Sequence, residues 1–507
     1  MSVARIASRA QLGLHAPLVH VEVHLGSGLP TFSIVGMPAT AVKESKERVR
    51  AALVNSNFEF PAGRITVNLA PADVPKEGGR FDLPIALGVL VASGQLQPIP
   101  NAFEQTEFYG ELALGGELKP VKGLLLAAAH ASQTGHGLVV PVSNVAEACV
   151  AARYAVRGAV HLLEVCKHIA GTEPLPRSLI ASTAAGAESS PSFALDLLDV
   201  RGQLQAKRAL AVAVAGNHSL LFVGPPGSGK SMLAHRITGL LPPLSDAEAM
   251  EVAMVASAST AGFDQRTYGR RPFRCPHHTA SVHAIVGGGP RVTPGEISLA
   301  HRGVLFLDEL PEFNRRALEA LREPLETGVI AVSRVAMQVE YPAEFQLIVA
   351  MNPCPCGYHG DPSGRCVCAP GRIDQYRARV SGPLLDRIDL RVEVPTLGTH
   401  ELINDMPAGE STAQVAMHVH AARDRQLARA GKLNARLSIR DLAATCRLDS
   451  AGEQLFWQSQ SRLGMSARAY HHTLRVARTI ADLAASERIH ATHVAEALQL
   501  KRALNPA

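Results

Sequence analysis

Apolar and polar positions alternate in short segments over the first 170 residues of the chain. Segments with the pattern of a strand recur at residues 20–25, 31–38 and 64–70. Helical periodicity occupies residues 42–54 and 83–96. We therefore expect a mixed α+β domain at residues 1–170.

The pattern changes toward the middle of the chain. A small, polar stretch at residues 181–192 is typical of a linker, which we place at 171–195. Beyond it, apolar runs of strand length at residues 219–224, 303–309 and 345–352 are separated by helical material. Strands that alternate with helices imply a parallel sheet, expected in a domain at 196–395. After a loop-like stretch, residues from about 413 onward have helical periodicity and few strand signals, which predicts an all-helical domain at 396–507.

Length and charge narrow the class of protein. A chain of 507 residues holds about three domains at roughly 150 residues each. Its formal net charge of +5 permits nucleic acid as a partner and fits an ordinary soluble enzyme equally well. No segment approaches the roughly 20 apolar residues that span a bilayer, and the first residues lack the apolar run of a signal peptide. We expect a cytoplasmic protein with no membrane partner.

A glycine-rich segment, GPPGSGKS, lies between a predicted strand and a predicted helix. Its spacing is that of a P-loop, whose backbone N–H groups and following helix N-terminus bind phosphates. The predicted ATP-binding residues are Gly224, Pro225, Pro226, Gly227, Ser228, Gly229, Lys230 and Ser231. Lys230 is expected to reach the β- and γ-phosphates, and the Ser231 hydroxyl to coordinate Mg²⁺.

Two carboxylates end the next strand of the predicted sheet. In open α/β sheets, ligands bind at the carboxyl ends of the strands. We therefore expect Asp308 to bind Mg²⁺ in the nucleotide site and Glu309 to polarise the attacking water as general base. Asn352 ends the following strand and could help to position that water, although an asparagine there is by itself more often a turn former.

Four of the eight cysteines cluster in an insertion at residues 354–368. Cys354, Cys356, Cys366 and Cys368 form two C-x-C pairs separated by nine residues. Two such pairs, joined by a turn-rich loop, can close a tetrahedral Cys₄ site, which suits structural Zn²⁺. Free thiols or a redox pair are the alternatives.

Together with SGPLLDRIDL at residues 381–390, these motifs resemble the AAA+ ATPases. The segment PGEISLAHRGVLFLDE at 294–309 is especially similar to the branch shared by magnesium-chelatase ATPase subunits and MCM helicases. Residues 29–53 and 68–90 are similar to the ComM/YifB family of bacterial competence proteins. The resemblance covers nearly the whole chain. It implies an AAA+ P-loop NTPase core of the α/β class, with a C-terminal helical lid.

The resemblance assigns further roles. Asn352 corresponds to the sensor-1 residue, Arg387 to an arginine finger that reaches the nucleotide of a neighbouring subunit, and Arg468 to the sensor-2 arginine of the lid. A finger that acts on a neighbour implies a ring, and the family implies a homo-hexamer. From the residues alone, Arg387 fits an ion pair with Asp386 or Asp389 equally well, and Arg468 fits a solvated helix face.

The N-terminal domain resembles the proteolytic domain of Lon-type proteases, on the segment GELALGGELKPVKGLLLAA at residues 110–128. In those proteases a nucleophilic serine follows a Gly-Pro pair, whereas this chain has GGRF at 78–81, and the position of the general-base lysine is Leu125. Serine–lysine hydrolysis requires both groups. We therefore expect a catalytically inactive, Lon-protease-like domain at 1–170, which helps assembly or DNA handling.

Basic residues and histidines surround a triple glycine at residues 268–296. In the helicases that the chain resembles, an insertion in this region forms pore loops, and a glycine hairpin flanked by cations can follow a phosphate backbone. The predicted DNA contacts are Arg271, Arg274 and Arg291. A surface loop with locally satisfied histidines, or a metal site at His277 and His278, are the alternatives.

By resemblance, the expected function is a hexameric, ATP-driven DNA motor. It would be a helicase that promotes branch migration of joint molecules in recombination and natural transformation, with ATP, Mg²⁺ and structural Zn²⁺ as cofactors. The alternative is an ATPase subunit that remodels a metal chelatase-type partner protein. A regulatory ATP-binding module is a third class, against which the presence of Glu309 and Arg387 argues.

Overall fold

The fold is that of a computed structural model. It describes residues 3–178, 195–289, 292–334, 337–361, 364–396, 409–463, 466–501 and 503. Most of the predicted linker lies outside the described residues, as does Arg291, one of the three arginines predicted to contact DNA. None of the described helices combines the length and the apolar character that a bilayer crossing demands.

The N-terminal part of the chain forms a mixed sheet covered by helices. Its strands are β1 (Val3–Arg9), β2 (Leu18–Gly26), β3 (Thr31–Val35), β4 (Arg64–Ala70), β5 (Thr106–Phe108), β6 (Glu111–Leu112), β7 (Leu118–Lys119), β8 (Gly137–Pro141), β9 (Val156–Ala159) and β10 (Arg177–Ser178). Its helices are α1 (Thr40–Lys43), α2 (Ser45–Asn55), α3 (Asp82–Ala92), α4 (Leu124–Thr134), α5 (Val145–Ala151) and α6 (Leu162–Ile169). Eight strands pair in the order β10-β9-β8-β5-β1-β2-β4-β3, and β6 pairs with β7. Since α3 is apolar on all sides, it is buried between this sheet and α2.

A second sheet forms the core of the chain. The strands of this region are β11 (Leu220–Val223), β12 (Phe273–Arg274), β13 (Gly287–Gly288), β14 (Thr293–Pro294), β15 (Val304–Leu307), β16 (Val329–Arg334), β17 (Met337–Pro342), β18 (Gln346–Met351) and β19 (Leu390–Glu393). Its helices are α7 (Leu204–Gly216), α8 (Lys230–His235), α9 (Asp246–Ala258), α10 (Val282–Val286), α11 (Glu296–Leu299), α12 (Arg315–Ala320), α13 (Arg322–Thr327), α14 (Pro370–Arg377) and α15 (Gly382–Leu385).

The core sheet has the order β12-β15-β18-β11-β19, and every pairing in it is parallel. All residues of β11, β15 and β18 are buried, as expected for strands covered by helices on both faces. The predicted parallel sheet is therefore confirmed. Because its strands are parallel, the segments that follow β11, β15 and β18 meet at one edge.

One hairpin departs from the prediction. We expected helical material between β15 and β18, and α12 and α13 lie there, but β16 and β17 also form an antiparallel hairpin after α13. Ile330 and Val332 on β16, and Val339 and Tyr341 on β17, are buried. The two-residue period of a half-buried strand was thus present in the sequence.

Helices make up the rest of the described chain. They are α16 (Thr412–Ala430), α17 (Ile439–Thr445), α18 (Ser450–Leu463), α19 (Ala467–Leu483) and α20 (Ala491–Gln499). The predicted C-terminal helical domain is confirmed. It packs on the core sheet, since Val419 of α16 and Ile480 of α19 share one apolar cluster with Leu210 of α7 and Phe222 of β11.

Candidate nucleotide site

The P-loop joins β11 to α8 at the carboxyl edge of the core sheet. Gly227 and Gly229 have φ angles of +77° and +95°, in the left-handed region that favours glycine. Gly224 is needed for another reason, because a Cβ there would lie 2.1 Å from the backbone oxygen of Val394. The loop thus passes close to the end of β19. Its glycines are needed for two reasons, namely positive φ angles at Gly227 and Gly229 and a close backbone contact at Gly224.

Lys230 begins α8 and points back into the loop. Its Nζ donates to the backbone oxygens of Gly224 and Pro225, both at 2.8 Å, and to Oδ1 of Asn352 at 3.2 Å. Burial lowers the pKa of the Lys230 ammonium group, and two nearby carboxylates oppose that shift. The P-loop lysine and the asparagine that ends β18 are therefore in direct contact.

The two predicted magnesium ligands also meet at this edge. Oγ of Ser231 donates to Oδ2 of Asp308 at 2.6 Å, and Oδ1 of Asp308 accepts the N–H of Glu309 at 2.9 Å. Hydroxyl and carboxylate oxygens are the ligands that Mg²⁺ takes beside substrate phosphates. Ser231 and Asp308 therefore fit Mg²⁺, with Glu309 on the adjoining residue.

Sequence reasoning missed a partner of Glu309. Nδ1 of His278 lies 3.1 Å from Oε2 of Glu309, because β12 pairs in parallel with β15 and the two residues follow these neighbouring strands. His277 stacks on His278 with ring centroids 4.2 Å apart, but pairs with Oγ1 of Thr279 at 2.8 Å. No signal in the sequence could have found this contact, because it depends on β12 and β15 being neighbours in the sheet.

Arg387 and Arg468 meet on one carboxylate. Each donates from Nη2 to Oε1 of Glu326 at 2.6 Å. The hydrogen bond from Arg468, and to a smaller extent the pairing with Arg387, lowers the pKa of Glu326. The sequence had left two alternatives open: an ion pair between Arg387 and a neighbouring aspartate, and a solvent-exposed position for Arg468. The structure pairs both with Glu326 instead.

The arginine pair lies far from the P-loop of its own chain. Arg387 precedes β19 and Ser219 precedes β11. Both residues, together with Arg468, line one cavity of about 630 Å³. Arg387 and Ser219 are at the amino ends of two paired parallel strands, whereas the P-loop leaves β11 at its carboxyl end. A four-residue strand alone rises about 13 Å. Neither arginine reaches the nucleotide site that its own chain builds.

The four clustered cysteines converge in space. Sγ of Cys354 lies 3.3 Å from that of Cys356 and 3.8 Å from that of Cys366, and Cys356 and Cys366 are 3.7 Å apart. All four sulfurs lie within 4.8 Å of one another. Thiolates around tetrahedral zinc, with Zn–S bonds of about 2.3 Å, are about 3.8 Å apart. The cluster therefore fits Zn²⁺.

Backbone N–H groups donate hydrogen bonds to two of these sulfurs. The N–H of His359 donates to Sγ of Cys354 at 3.3 Å. A hydrogen bond from the N–H of Tyr358 lowers the pKa of Cys356 to about 6. Because the thiolate is the form that binds metal, the hydrogen bond to Cys356 favours metal binding, whereas burial and hydrogen bonds with neighbouring thiols raise the pKa values of Cys366 and Cys368.

Two of the arginines predicted to contact DNA are engaged within the chain. Arg271 donates at 2.6 Å to each of two backbone oxygens, and burial lowers the pKa of its guanidinium group. Arg274 forms two hydrogen bonds of 2.6 Å with the carboxylate of Glu296, which begins α11. Contact of Arg271 and Arg274 with DNA stays a prediction.

The positions that correspond to the Lon-type catalytic pair hold other groups. Arg80, which follows the two glycines, is buried and donates to the backbone oxygen of Lys122 at 2.6 Å. Leu125 is fully buried. A Cβ at Gly79 would lie 2.3 Å from Oε2 of Glu111. A guanidinium and a carboxylate fill this place, and the absence of peptidase activity stays a prediction.

Family models match all three parts of the chain. The model described as magnesium chelatase, subunit ChlI, matches residues 196–402. A model described as subunit ChlI of Mg-chelatase matches residues 21–144, and one for the C-terminal part of that subunit matches residues 409–501. The matches therefore include part of the N-terminal sheet, the core sheet and the C-terminal helices.

Full-length relatives are also similar. The chain is 48% identical over 498 residues to competence protein ComM of Haemophilus influenzae, covering 98% of this chain and 97% of that protein. It is 47% identical over 501 residues to YifB of Salmonella typhimurium and 46% identical over 501 residues to YifB of Escherichia coli. Each of these two alignments covers 99% of this chain and 97% of the relative.

Proposed function

Because the chain belongs to the ComM/YifB family of magnesium-chelatase-like AAA+ proteins, we propose that it is an ATP-driven motor that works on DNA. In detail, it is a hexameric helicase that promotes branch migration of joint molecules during recombination and natural transformation. The ATPase part is carried by one observation, the convergence of the P-loop with Ser231, Asp308 and Glu309 at one edge of a parallel sheet.

ATP hydrolysis follows from the groups at this edge. The P-loop N–H groups and Lys230 bind the phosphates, and Ser231 and Asp308 would hold Mg²⁺. When bound, Mg²⁺ would neutralise charge that develops on the phosphate oxygens. Glu309 accepts a proton from the attacking water, and Asn352, which contacts Lys230, orients that water.

The arginine pair supports a ring. Arg387 acts as the arginine finger and Arg468 as the sensor-2 residue on ATP bound by the neighbouring subunit, since neither reaches the P-loop of its own chain. A head-to-tail contact repeated around a closed ring gives every nucleotide site its pair of arginines. In AAA+ proteins this ring is typically a hexamer.

Action on DNA is supported by a relative and by the segment that precedes β15. The Haemophilus relative is named a competence protein. In this chain Gly287 and Gly288 form β13, which pairs antiparallel with β14, and Arg270, His277 and His283 are exposed in the same segment. Exposed basic side chains beside a strand of glycines suit contacts with a phosphate backbone.

We assign structural Zn²⁺ to Cys354, Cys356, Cys366 and Cys368, on the sulfur spacing described above. Zinc in such sites contributes folding energy directly. Thiols that stay reduced to bind metal fit the cytoplasm, where disulfides are rare, and we place the protein there.

The test is ATP turnover by the purified protein with and without DNA. Single-stranded or branched DNA is expected to stimulate turnover several-fold, and the stimulation should fall as salt rises, because phosphate contacts release counterions. The protein should also migrate the branch of a labelled four-way joint, and the Glu309→Gln variant should not.

Two results would overturn parts of this proposal. Healthy ATP turnover that responds to no form of DNA removes the motor and favours an ATPase that remodels a chelatase-type partner protein. Absence of turnover under all conditions removes the ATPase itself and favours a regulatory nucleotide-binding module.

A further inference from the structure

The Cys₄ loop packs directly on the P-loop. We use this name for residues 354–368, of which 362 and 363 are not described. Gly357 is buried and has a φ of +88°. A Cβ at Gly357 would lie 2.5 Å from Cδ and 2.8 Å from Cγ of Pro226, and 3.8 Å from Cγ of Asn352. The loop backbone thus packs against the ring of a P-loop proline and lies near the side chain that contacts Lys230.

The Cys₄ loop is attached to the core sheet on both sides of the P-loop strand. Asn352 and Pro353 join it to β18, and the backbone oxygen of Pro353 accepts a hydrogen bond from Nε of Arg377, on α14, at 3.2 Å. On the other side, Oγ1 of Thr396, just beyond β19, donates to Oδ2 of Asp361 at 3.0 Å. Since β11 lies between β18 and β19, the Cys₄ loop bridges the strand that leads into the P-loop.

Apolar burial contributes little to the conformation of the Cys₄ loop. The side chain of Val367 is 88% exposed, and Cys354 is buried at the sulfur cluster rather than in a core of the loop's own. Segments this short do not fold on a hydrophobic core, and metal binding then supplies the folding energy. The position of Gly357 against Pro226 therefore depends on the four sulfurs.

We propose that metal binding by the Cys₄ loop positions the P-loop, so that zinc occupancy sets the affinity for ATP. This inference rests on the zinc site of the proposed function. With the four sulfurs bound to one ion, Gly357 supports Pro226, and Asn352 stays beside Lys230. Without it, the P-loop loses this support, although no cysteine belongs to the nucleotide site.

The chain offers a matched pair of substitutions as a test. Gly357 and Gly360 lie in the same loop with φ angles of +88° and +80°, but a Cβ at Gly360 meets no atom within 4 Å. Gly357→Ala is expected to weaken binding of a fluorescent ATP analogue about tenfold, since small misplacements of binding groups are costly. Gly360→Ala carries the same backbone strain and should leave binding within about twofold.

A second-site variant separates positioning from damage to the fold. The atoms nearest to the added Cβ are Cδ and Cγ of Pro226, which alanine lacks. In a Pro226→Ala background, adding Gly357→Ala should therefore cost little further ATP affinity. Equal binding by Gly357→Ala and wild type, or the full loss again in the Pro226→Ala background, overturns the inference.

Metal analysis keeps this inference distinct from the function on which it rests. Wild type and Gly357→Ala should each contain about one zinc per chain, whereas Cys366→Ser with Cys368→Ser should lose the zinc and bind the ATP analogue as weakly as Gly357→Ala. A zinc-free double serine variant with full affinity for ATP overturns the coupling and leaves the ATPase proposal standing. Wild-type protein without zinc overturns the metal site itself.

Discussion

The imidazole of His278 holds the carboxylate of Glu309, with 3.1 Å between Nδ1 and Oε2. Glu309 has a φ of +54°, a conformation uncommon for a residue other than glycine. Its side chain is 51% exposed, so neighbouring side chains restrict it little. His278 is therefore a positioning residue for the general base proposed here.

Replacing His278 should lower the rate of hydrolysis and spare ATP binding. His278→Ala is expected to reduce kcat about tenfold, equivalent to about 1.4 kcal/mol, because Glu309 loses the group that orients it. KM for ATP should not change, since neither side chain belongs to the P-loop. His277→Ala is the control, because His277 pairs with Thr279 rather than Glu309. Equal losses in both variants would show that stacking, not the contact with Glu309, matters.

The arginine pair predicts that catalysis is shared between subunits. Lys230→Ala and Arg387→Ala should each be nearly inactive alone, because one loses phosphate binding and the other the finger. Mixed rings should regain turnover, since a Lys230→Ala subunit still offers Arg387 to the intact P-loop of its neighbour. The measurement is ATPase activity against mixing ratio.

The matched control for mixing is a second defect in the same half of the site. In a mixture of Lys230→Ala and Glu309→Gln subunits, every nucleotide site lacks one required group, which is the lysine in some sites and the general base in the others. This mixture should stay inactive. Recovery in this mixture, or none with Arg387→Ala, would contradict action across the subunit interface.

Removing one magnesium ligand should change the metal requirement. Ser231→Ala loses the hydroxyl that lies 2.6 Å from Asp308, so half-maximal turnover should need about tenfold more Mg²⁺. Thr238→Ala removes a hydroxyl that bonds the backbone oxygen of His235, and serves as the control. An unchanged Mg²⁺ titration for Ser231→Ala would remove this residue from the metal site.

The N-terminal domain should have no peptidase activity. Leu125 cannot act as a general base, and Glu111 lies against Gly79 beside Arg80. Installing a nucleophile by Arg80→Ser should therefore yield no cleavage of unfolded casein or fluorogenic peptides, with or without ATP. Cleavage by the wild-type protein that is lost on mutation of this domain would refute the prediction.

Local patterns predicted much of the fold. The strand expected at residues 64–70 is β4 with the same bounds, and the P-loop lies between β11 and α8 as its spacing indicated. These predictions succeeded because period-two burial, glycine torsions and helix starts are set by neighbouring residues. The helix expected at residues 42–54 divides at Glu44 into α1 and α2, and this boundary was not visible in its periodicity.

The chemical groups of the site could be identified from the residues alone: a phosphate-binding loop, two carboxylates at a strand end, four clustered cysteines and two candidate arginines. Which of these groups contact one another depends on the three-dimensional fold. His278 reaches Glu309 because β12 and β15 are neighbours in the sheet, Glu326 joins Arg387 to Arg468, and the Cys₄ loop lies on Pro226. These contacts join residues far apart in the chain, and strand order and helix packing, rather than local preference, bring them together.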